Sequence, residues 1–356
     1  KSTNAGITWS DKIGVNLYNA MAGANQLYDV DSADSDGDGV AAEEIVVWNV
    51  VVAPDDPNFI AVVTNDADDD EPHNVWISTT GGTLWMNTSV PSGVCETPGL
   101  YILAIAISPS YMGPLGTTHD IAIGTRDPDG STLGEVWIVS YPIGVGAWTP
   151  QNFEVNPAAP YTGTSPSGGD VFALMASPSY SGDFCWVVVA ATNTDMAAPY
   201  DGHTYVCVGF HDVIINSTVW NTAIGAHFTA YPVEVAAAAG NSPEEDDMVF
   251  VDLELVSDWN GDDPRSRIYF VSYDVSESST AAPWADVYRL NDTIVYDLNI
   301  PVPRIGAAEE GKRVASIAYY GTSTEGKLLA GEVWGNQCAA TVQSWISLDP
   351  LACPGI

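Results

Sequence analysis

The sequence predicts an all-β protein: a β-propeller of four-stranded antiparallel blades, with five units countable and six or seven expected if the chain is truncated. Three observations predict it. The apolar runs are short, rich in Val, Ile, Tyr and Trp, and separated by clusters of Gly, Pro, Asp and Ser, while helical periodicity is almost absent. The runs recur in a fixed order along the chain. Hydrophobic residues make up 46% of the 356, enough to build a sizeable core despite the heavy charge.

The first strands are expected in EIVVWNVVV (44–52), FIAVVT (59–64) and NVWIST (74–79). YILAIAIS (101–108), DIAIGT (120–125) and EVWIVS (135–140) follow, then VFALMAS (171–177), FCWVVVAAT (184–192) and TYVCVGF (204–210). MVFVDLELV (248–256), RIYFVSYDV (267–275), RVASIAYY (313–320) and KLLAGEVW (327–334) complete the set, and the alanines of VEVAAAAGN (233–241) suit a helical turn or a loop. One unit reads as an apolar strand, a turn such as Ser108-Pro109-Ser110-Tyr111 or Ser177-Pro178-Ser179-Tyr180, and a second strand ending in Thr. A third strand carrying Val75-Trp76, Val136-Trp137 or Tyr205-Val206 follows, and a tryptophan (Trp85, Trp148, Trp220) closes the unit. The chain thus divides into a single domain, 1–356, with units at 45–90, 100–150, 170–222, 248–298 and 313–347. Segment 1–44 supplies an acidic loop and a strand, Gly6-Ile7-Thr8-Trp9-Ser10, that completes the last unit and closes the ring.

One stretch carries a family resemblance. Ser78-Thr79-Thr80-Gly81-Gly82-Thr83-Leu84-Trp85 resembles the Asp-box, the Ser-x-Asp-x-Gly-x-Thr-Trp hairpin of sialidase-like and sortilin-like propellers. Ser78, Gly82 and Trp85 match; Thr80 stands at the aspartate and Leu84 at the threonine. The SPSY turns are similar to those of bacterial or archaeal secreted and cell-surface propellers of this repeat class. The resemblance implies the propeller fold; the box itself is a turn device whose glycines permit positive φ and whose tryptophan packs across the hairpin.

Composition bounds the partners. Ten Lys and Arg stand against 46 Asp and Glu, a formal charge of −36, so nucleic acid and anionic membranes would be repelled. No apolar run is long enough for a membrane span. The five cysteines form no CxxC pair and no Cys/His cluster, which argues against a zinc site or a redox dithiol. Cys185 with Cys207 and Cys338 with Cys353 are the expected disulfides, with free buried thiols as the equal alternative for the first pair and Cys95 left over. Sequons at Asn87, Asn216 and Asn291 permit glycosylation. An extracellular or cell-surface protein is expected, cut from a longer precursor; a halophile's cytosolic protein would share the acidity.

The sharpest chemical signal is Asp34-Ser35-Asp36-Gly37-Asp38-Gly39, whose alternating oxygens followed by glycine match the start of an EF-hand-like loop and predict bound Ca2+. Ile45 occupies the position of the closing glutamate, so Glu43, Glu44, Asp29 and Asp31 are the candidates to complete the shell. Asp258, Asn260 and Asp262 form a weaker version. Six arginines in an acidic chain are few for a carboxylated substrate, and no GxSxG, HExxH or P-loop occurs. His203 and His211 are spaced for a hairpin pair. With so many acids, no glycosidase carboxylate pair can be selected from sequence.

These features predict a non-catalytic extracellular assembly propeller, such as a surface-layer or surface-filament subunit, associating with itself or with other surface proteins. A secreted carbohydrate-active enzyme of Asp-box type, or a glycan-binding module, is the alternative. Paired carboxylates at the centre of the ring, held by neighbouring hydrogen bonds, distinguish the enzyme from the subunit.

Overall fold

The structure is a computed structural model that describes residues 16–17, 19–21, 47–66, 69–91, 94, 101–114, 116–126, 134–142, 148–155, 169–192, 203–235, 248–275, 285–298, 312–334, 344–347 and 350–351. Among the described residues five antiparallel sheets follow one another along the chain. The first contains β1 (Val47–Val52), β2 (Ile60–Asp66), β3 (Asp69–Ser78) and β4 (Met86–Asn87). The second contains β5 (Tyr101–Ile107), β6 (Tyr111–Gly113), β7 (Gly116–Arg126), β8 (Val136–Tyr141) and β9 (Thr149–Pro150). The third contains β10 (Asp170–Ala176), β11 (Cys185–Ala191), β12 (Thr204–Asp212), β13 (Ser217–Trp220) and β14 (Val233–Glu234), so the start of VEVAAAAGN pairs as a strand with β12 rather than turning as a helix. The fourth contains β15 (Met248–Leu255), β16 (Ile268–Val275), β17 (Ala285–Asn291) and β18 (Ile294–Asp297). The fifth contains β19 (Lys312–Gly321), β20 (Gly326–Trp334) and β21 (Ser344–Ser347).

The main path of each sheet is a meander, with β6 added beside β7 and β14 beside β12, and the first strands of neighbouring sheets lie against one another: β1 by β5, β5 by β10, β10 by β15, β15 by β19. That is a β-propeller, with first strands innermost and later strands running outward. The expected closing strand at 6–10 lies outside the described residues.

Every first strand carries the same irregularity. Its register against the second strand slips between Val47 and Asn49, Ile102 and Ala104, Val171 and Ala173, Met248 and Phe250, and Val314 and Ser316. A bulge leaves one residue unpaired and increases local twist, which turns each blade out from the crowded centre.

Apolar faces bury between successive sheets. Ala61, Val63, Val75 and Ile77 of the first meet Ile105, Ile107, Ile121 and Ile123 of the second. Ala122, Val136 and Ile138 meet Trp186, Val188 and Ala190 of the third. Cys185, Val187 and Val189, on the opposite face of that third sheet, join Leu253, Leu255, Val271 and then Val314 and Ile317 in one continuous core. The outward face of the first sheet is covered differently: helical Leu17 and Met21 rest on Ile60, Val62 and Trp76.

The closing tryptophans tie blades together. Trp148 Nε1 donates to Thr88 Oγ1 of the first blade at 3.2 Å, and Trp220 Nε1 donates to the Gln151 carbonyl of the second at 3.1 Å. Trp85 instead closes its own hairpin on the Gly82 carbonyl at 3.2 Å. In that hairpin Ser78 Oγ accepts the Gly82 N–H at 2.9 Å, Thr80 Oγ1 accepts the Leu84 N–H at 2.9 Å, and Gly81 and Gly82 take φ of 65° and 86°.

Candidate active site at the innermost strands

Of the innermost strands, β5 and β10 are apolar and largely buried on both faces by neighbouring blades. β15 departs from that pattern. Past its bulge, Leu253 and Leu255 enter the core shared with the third sheet. Phe250, Asp252 and Glu254, alternating with them, share the other face, which looks toward the fifth sheet.

Backbone geometry fixes Asp252. A first strand is paired along one edge only, so alternate N–H groups on its other edge point toward the axis. Asp252 takes up two of these: Oδ1 accepts the Leu253 N–H at 2.9 Å and Oδ2 accepts the Ile317 N–H of β19 at 2.8 Å. The carboxylate therefore bridges the inner edges of two blades. Burial raises its pKa, and the N–H groups of Ile317 and Leu253 pull in the opposite direction.

Glu254 has no such support. Among the described residues nothing donates a hydrogen bond to it; burial, and then the charge of Asp252, push it up to about 7. Two residues along an extended strand span about 6.6 Å. The site thus sets a carboxyl that keeps its proton near neutrality beside one better held as an anion, both only partly buried. Below them Phe270, cross-strand from Glu254, stacks on Tyr319 with centroids 4.5 Å apart, closing the floor between the two sheets. Such a pair can donate one proton and accept another across a bound substrate.

Other titratable groups are engaged structurally. Asp120 is fully buried, accepting Tyr111 Oη and Ser140 Oγ on one oxygen and Tyr180 Oη on the other, at 2.8, 2.6 and 2.7 Å. Glu135 is also pushed by burial to about 7, but its Oε1 is taken up by the N–H groups of Val136 and Phe153. Two buried arginines and the partly buried Arg126 serve three separate places: Arg126 beside Asp170, Arg267 on Gly261, His227 and Asp292, and Arg289 over Tyr296. They form no shared clamp for an anionic substrate.

The residues singled out from sequence fare unevenly. Asp29, Asp31, Asp34, Asp36, Asp38, Glu43 and Glu44 lie outside the described residues, as do Cys95, Cys338 and Cys353. Asp258, Asn260 and Asp262 are described and do not converge: Asp258 binds Ser323 of the next sheet, while the Asn260 side chain accepts the Asp262 N–H at 2.8 Å. Among the described residues no group of three or more His, Cys, Asp and Glu could hold a metal. Cys185 and Cys207 are buried free thiols, not a disulfide; they belong to different cores on opposite faces of the third sheet, so their side chains point apart. His203 precedes β12 and His211 lies near its other end, roughly 26 Å apart at the strand rise, too far to hold one ion. Of the sequon amides, Asn216 Nδ2 donates to Thr149 Oγ1 at 2.8 Å and Asn87 Nδ2 faces Asn74 Oδ1 at 3.5 Å, while Asn291 ends β17.

Asp252 and Glu254 were missed. The signal was present: two acids inside the apolar run MVFVDLELV are costly to bury and need a reason.

No protein-family model and no curated protein matches the sequence. Among solved structures, the chain is similar to a GH43 β-1,3-galactosidase bound to galactodeoxynojirimycin, at 9% identity and TM-score 0.38, over 78% of this chain and 86% of that one. It is similar to a GH74 xyloglucanase from Xanthomonas campestris, at 13% identity and TM-score 0.33, over 85% of this chain and 42% of that one. A third is an α-L-arabinofuranosidase from Fusarium graminearum with an iminosugar inhibitor, at 9% identity and TM-score 0.36, covering 86% and 72%. These are likenesses of fold. The expectation of a non-catalytic assembly subunit is corrected. Two carboxyls, Asp252 and Glu254, share one face of an innermost strand, and neighbouring N–H groups hold the first of them. No helix among the described residues is long and apolar enough to cross a membrane.

Proposed function

We propose that the protein is a carbohydrate-active enzyme that hydrolyses a neutral glycan. One observation carries the reading: two carboxyls share a face of β15, one anchored by two inner-edge N–H groups and one pushed up to about 7. Glu254 gives its proton to the glycosidic oxygen as the anomeric C–O bond breaks. Asp252 takes a proton from the water whose oxygen attacks the anomeric carbon. A carboxyl separation of roughly 6.5–9.5 Å leaves room for that water, the inverting geometry.

The finer parts of the reading stand on separate supports. The Ser78–Trp85 hairpin, with Thr80 Oγ1 holding the Leu84 N–H, supports an Asp-box-type turn in which threonine replaces aspartate. The acidic, lysine-poor composition supports an extracellular location, and Asp34, Asp36 and Asp38 support a calcium loop.

Hydrolysis of a panel of neutral aryl glycosides by the protein, Asp252→Asn and Glu254→Gln tests the proposal. Turnover lost in both variants while the fold is kept is the expected result. Turnover equal in all three, or absent in all three, overturns it.

A further inference from the structure

Three large aromatic side chains stay more than half exposed among the described residues, and all three lie on innermost strands: Trp48 at 55%, Phe250 at 56% and Tyr320 at 86%. Water contact at such positions wastes burial that a neighbouring blade could supply. Of the three, Phe250 alone shares a strand face with the acidic pair. Phe250, Asp252 and Glu254 stand at alternate residues of β15, so the Cα atom of Phe250 lies about 6.6 Å along the strand from that of Asp252. Tyr320 belongs to the opposite face of β19, since its neighbour Tyr319 is the one stacked on Phe270.

We infer that Phe250 is the stacking platform for the sugar beside the scissile bond, and that the substrate is a neutral pyranoside with an unsubstituted C–H face. The inference rests on the hydrolase reading for its catalytic pair and adds the residue that selects the ring. A flat aromatic face complements the apolar C–H face of a pyranose and does not complement a charged one. The chain's charge of −36, with Asp252 and Glu254 themselves beside the ring, excludes a uronate or sialoside at this position. The floor beneath, Phe270 on Tyr319, is already filled, so the sugar has the Phe250 ring as its free apolar wall.

Calorimetric binding of neutral gluco-, xylo-, galacto- and arabino-oligosaccharides to Glu254→Gln, with and without Phe250→Ala, tests the inference. The same assay with an oligogalacturonate supplies the anionic control. Neutral-sugar affinity should fall about three- to tenfold on Phe250→Ala, recover with Phe250→Trp and stay unchanged with Tyr320→Ala. In the active protein KM should rise by the same factor while kcat changes little. Because Phe250 is half exposed, its truncation leaves the core intact, and unchanged melting temperature confirms this. Binding that ignores Phe250, or favours the uronate, overturns the inference and leaves the hydrolase reading standing. Phe250-dependent binding without any turnover keeps the platform and overturns the hydrolase reading. No binding of any sugar overturns both.

Discussion

Ser323 gives both its backbone N–H and its hydroxyl to the carboxylate of Asp258, at 2.6 and 2.7 Å, across the junction of the fourth and fifth sheets. Ser110 does the same to Asp55 between the first and second. At the other two junctions Asp120 accepts Tyr180 Oη, and Asp183 accepts the Gly261 N–H at 2.8 Å. An aspartate from one blade thus fastens the turn region of the next at every described junction. The exposed latch should be worth about 1 kcal/mol or less. Ser323→Ala and Asp258→Asn should each lower the melting temperature slightly, and a double-mutant cycle should show that the two losses do not add. Additive losses would mean the pair is not coupled.

The proposed catalytic pair, Asp252 and Glu254, predicts a bell-shaped pH profile. Glu254 must be protonated, so activity falls as pH rises through about 7; Asp252 must be ionised, so activity falls on the acid side near its raised pKa. Glu254→Gln should cost about 10²- to 10⁴-fold in kcat. The same substitution should stabilise the fold at alkaline pH. A carboxyl whose folded pKa is raised contributes stability below its unfolded pKa and loses it as pH climbs through the folded one. Melting curves of the variant and the parent should coincide at pH 4 and separate in favour of Glu254→Gln at pH 8.

His211 makes the opposite prediction. Burial lowers its pKa, against the charges of Asp120 and Asp212, and its Nδ1 lies 3.0 Å from Thr218 Oγ1. Folded protein therefore binds fewer protons here than unfolded chain, and stability is lost as pH falls below the ordinary histidine value of about 6.5. His211→Gln should flatten the dependence of melting temperature on pH between 7 and 5. A slope unchanged by the substitution would place the titrating group elsewhere.

The thiols give a direct chemical check. Cys185 and Cys207 are buried, and burial pushes the Cys207 thiol up to about 12 and that of Cys185 higher still. Neither should react with a thiol reagent in the native state. Both should be alkylated in denaturant without any reductant, as read by peptide mass spectrometry. A Cys185–Cys207 disulfide peptide would contradict the free thiols.

Much of the architecture was legible because a strand buried on both faces must be written as a continuous apolar run, and its turns need Gly, Pro and Asp. Trp148 and Trp220 could be read as blade closers for the same reason: each recurs after a third strand, and each reaches back to the preceding blade. Between the two readings the sequence left open for Cys185 and Cys207, a disulfide or buried free thiols, the structure decides for free thiols on something the sequence does not encode locally. Val188, not Cys185, lies opposite Cys207, and that register puts the sulfurs on opposite faces.

The sequence by itself determined the class of fold and the recurring strand order, since these follow from periodicity, which is a property of the chain. Only the tertiary structure decided the site. Asp252 and Glu254 were two among 46 acids until the fourth and fifth sheets came together, because a carboxyl acquires its role from what surrounds it. Burial raised both, and an N–H from a strand 65 residues away anchored only one.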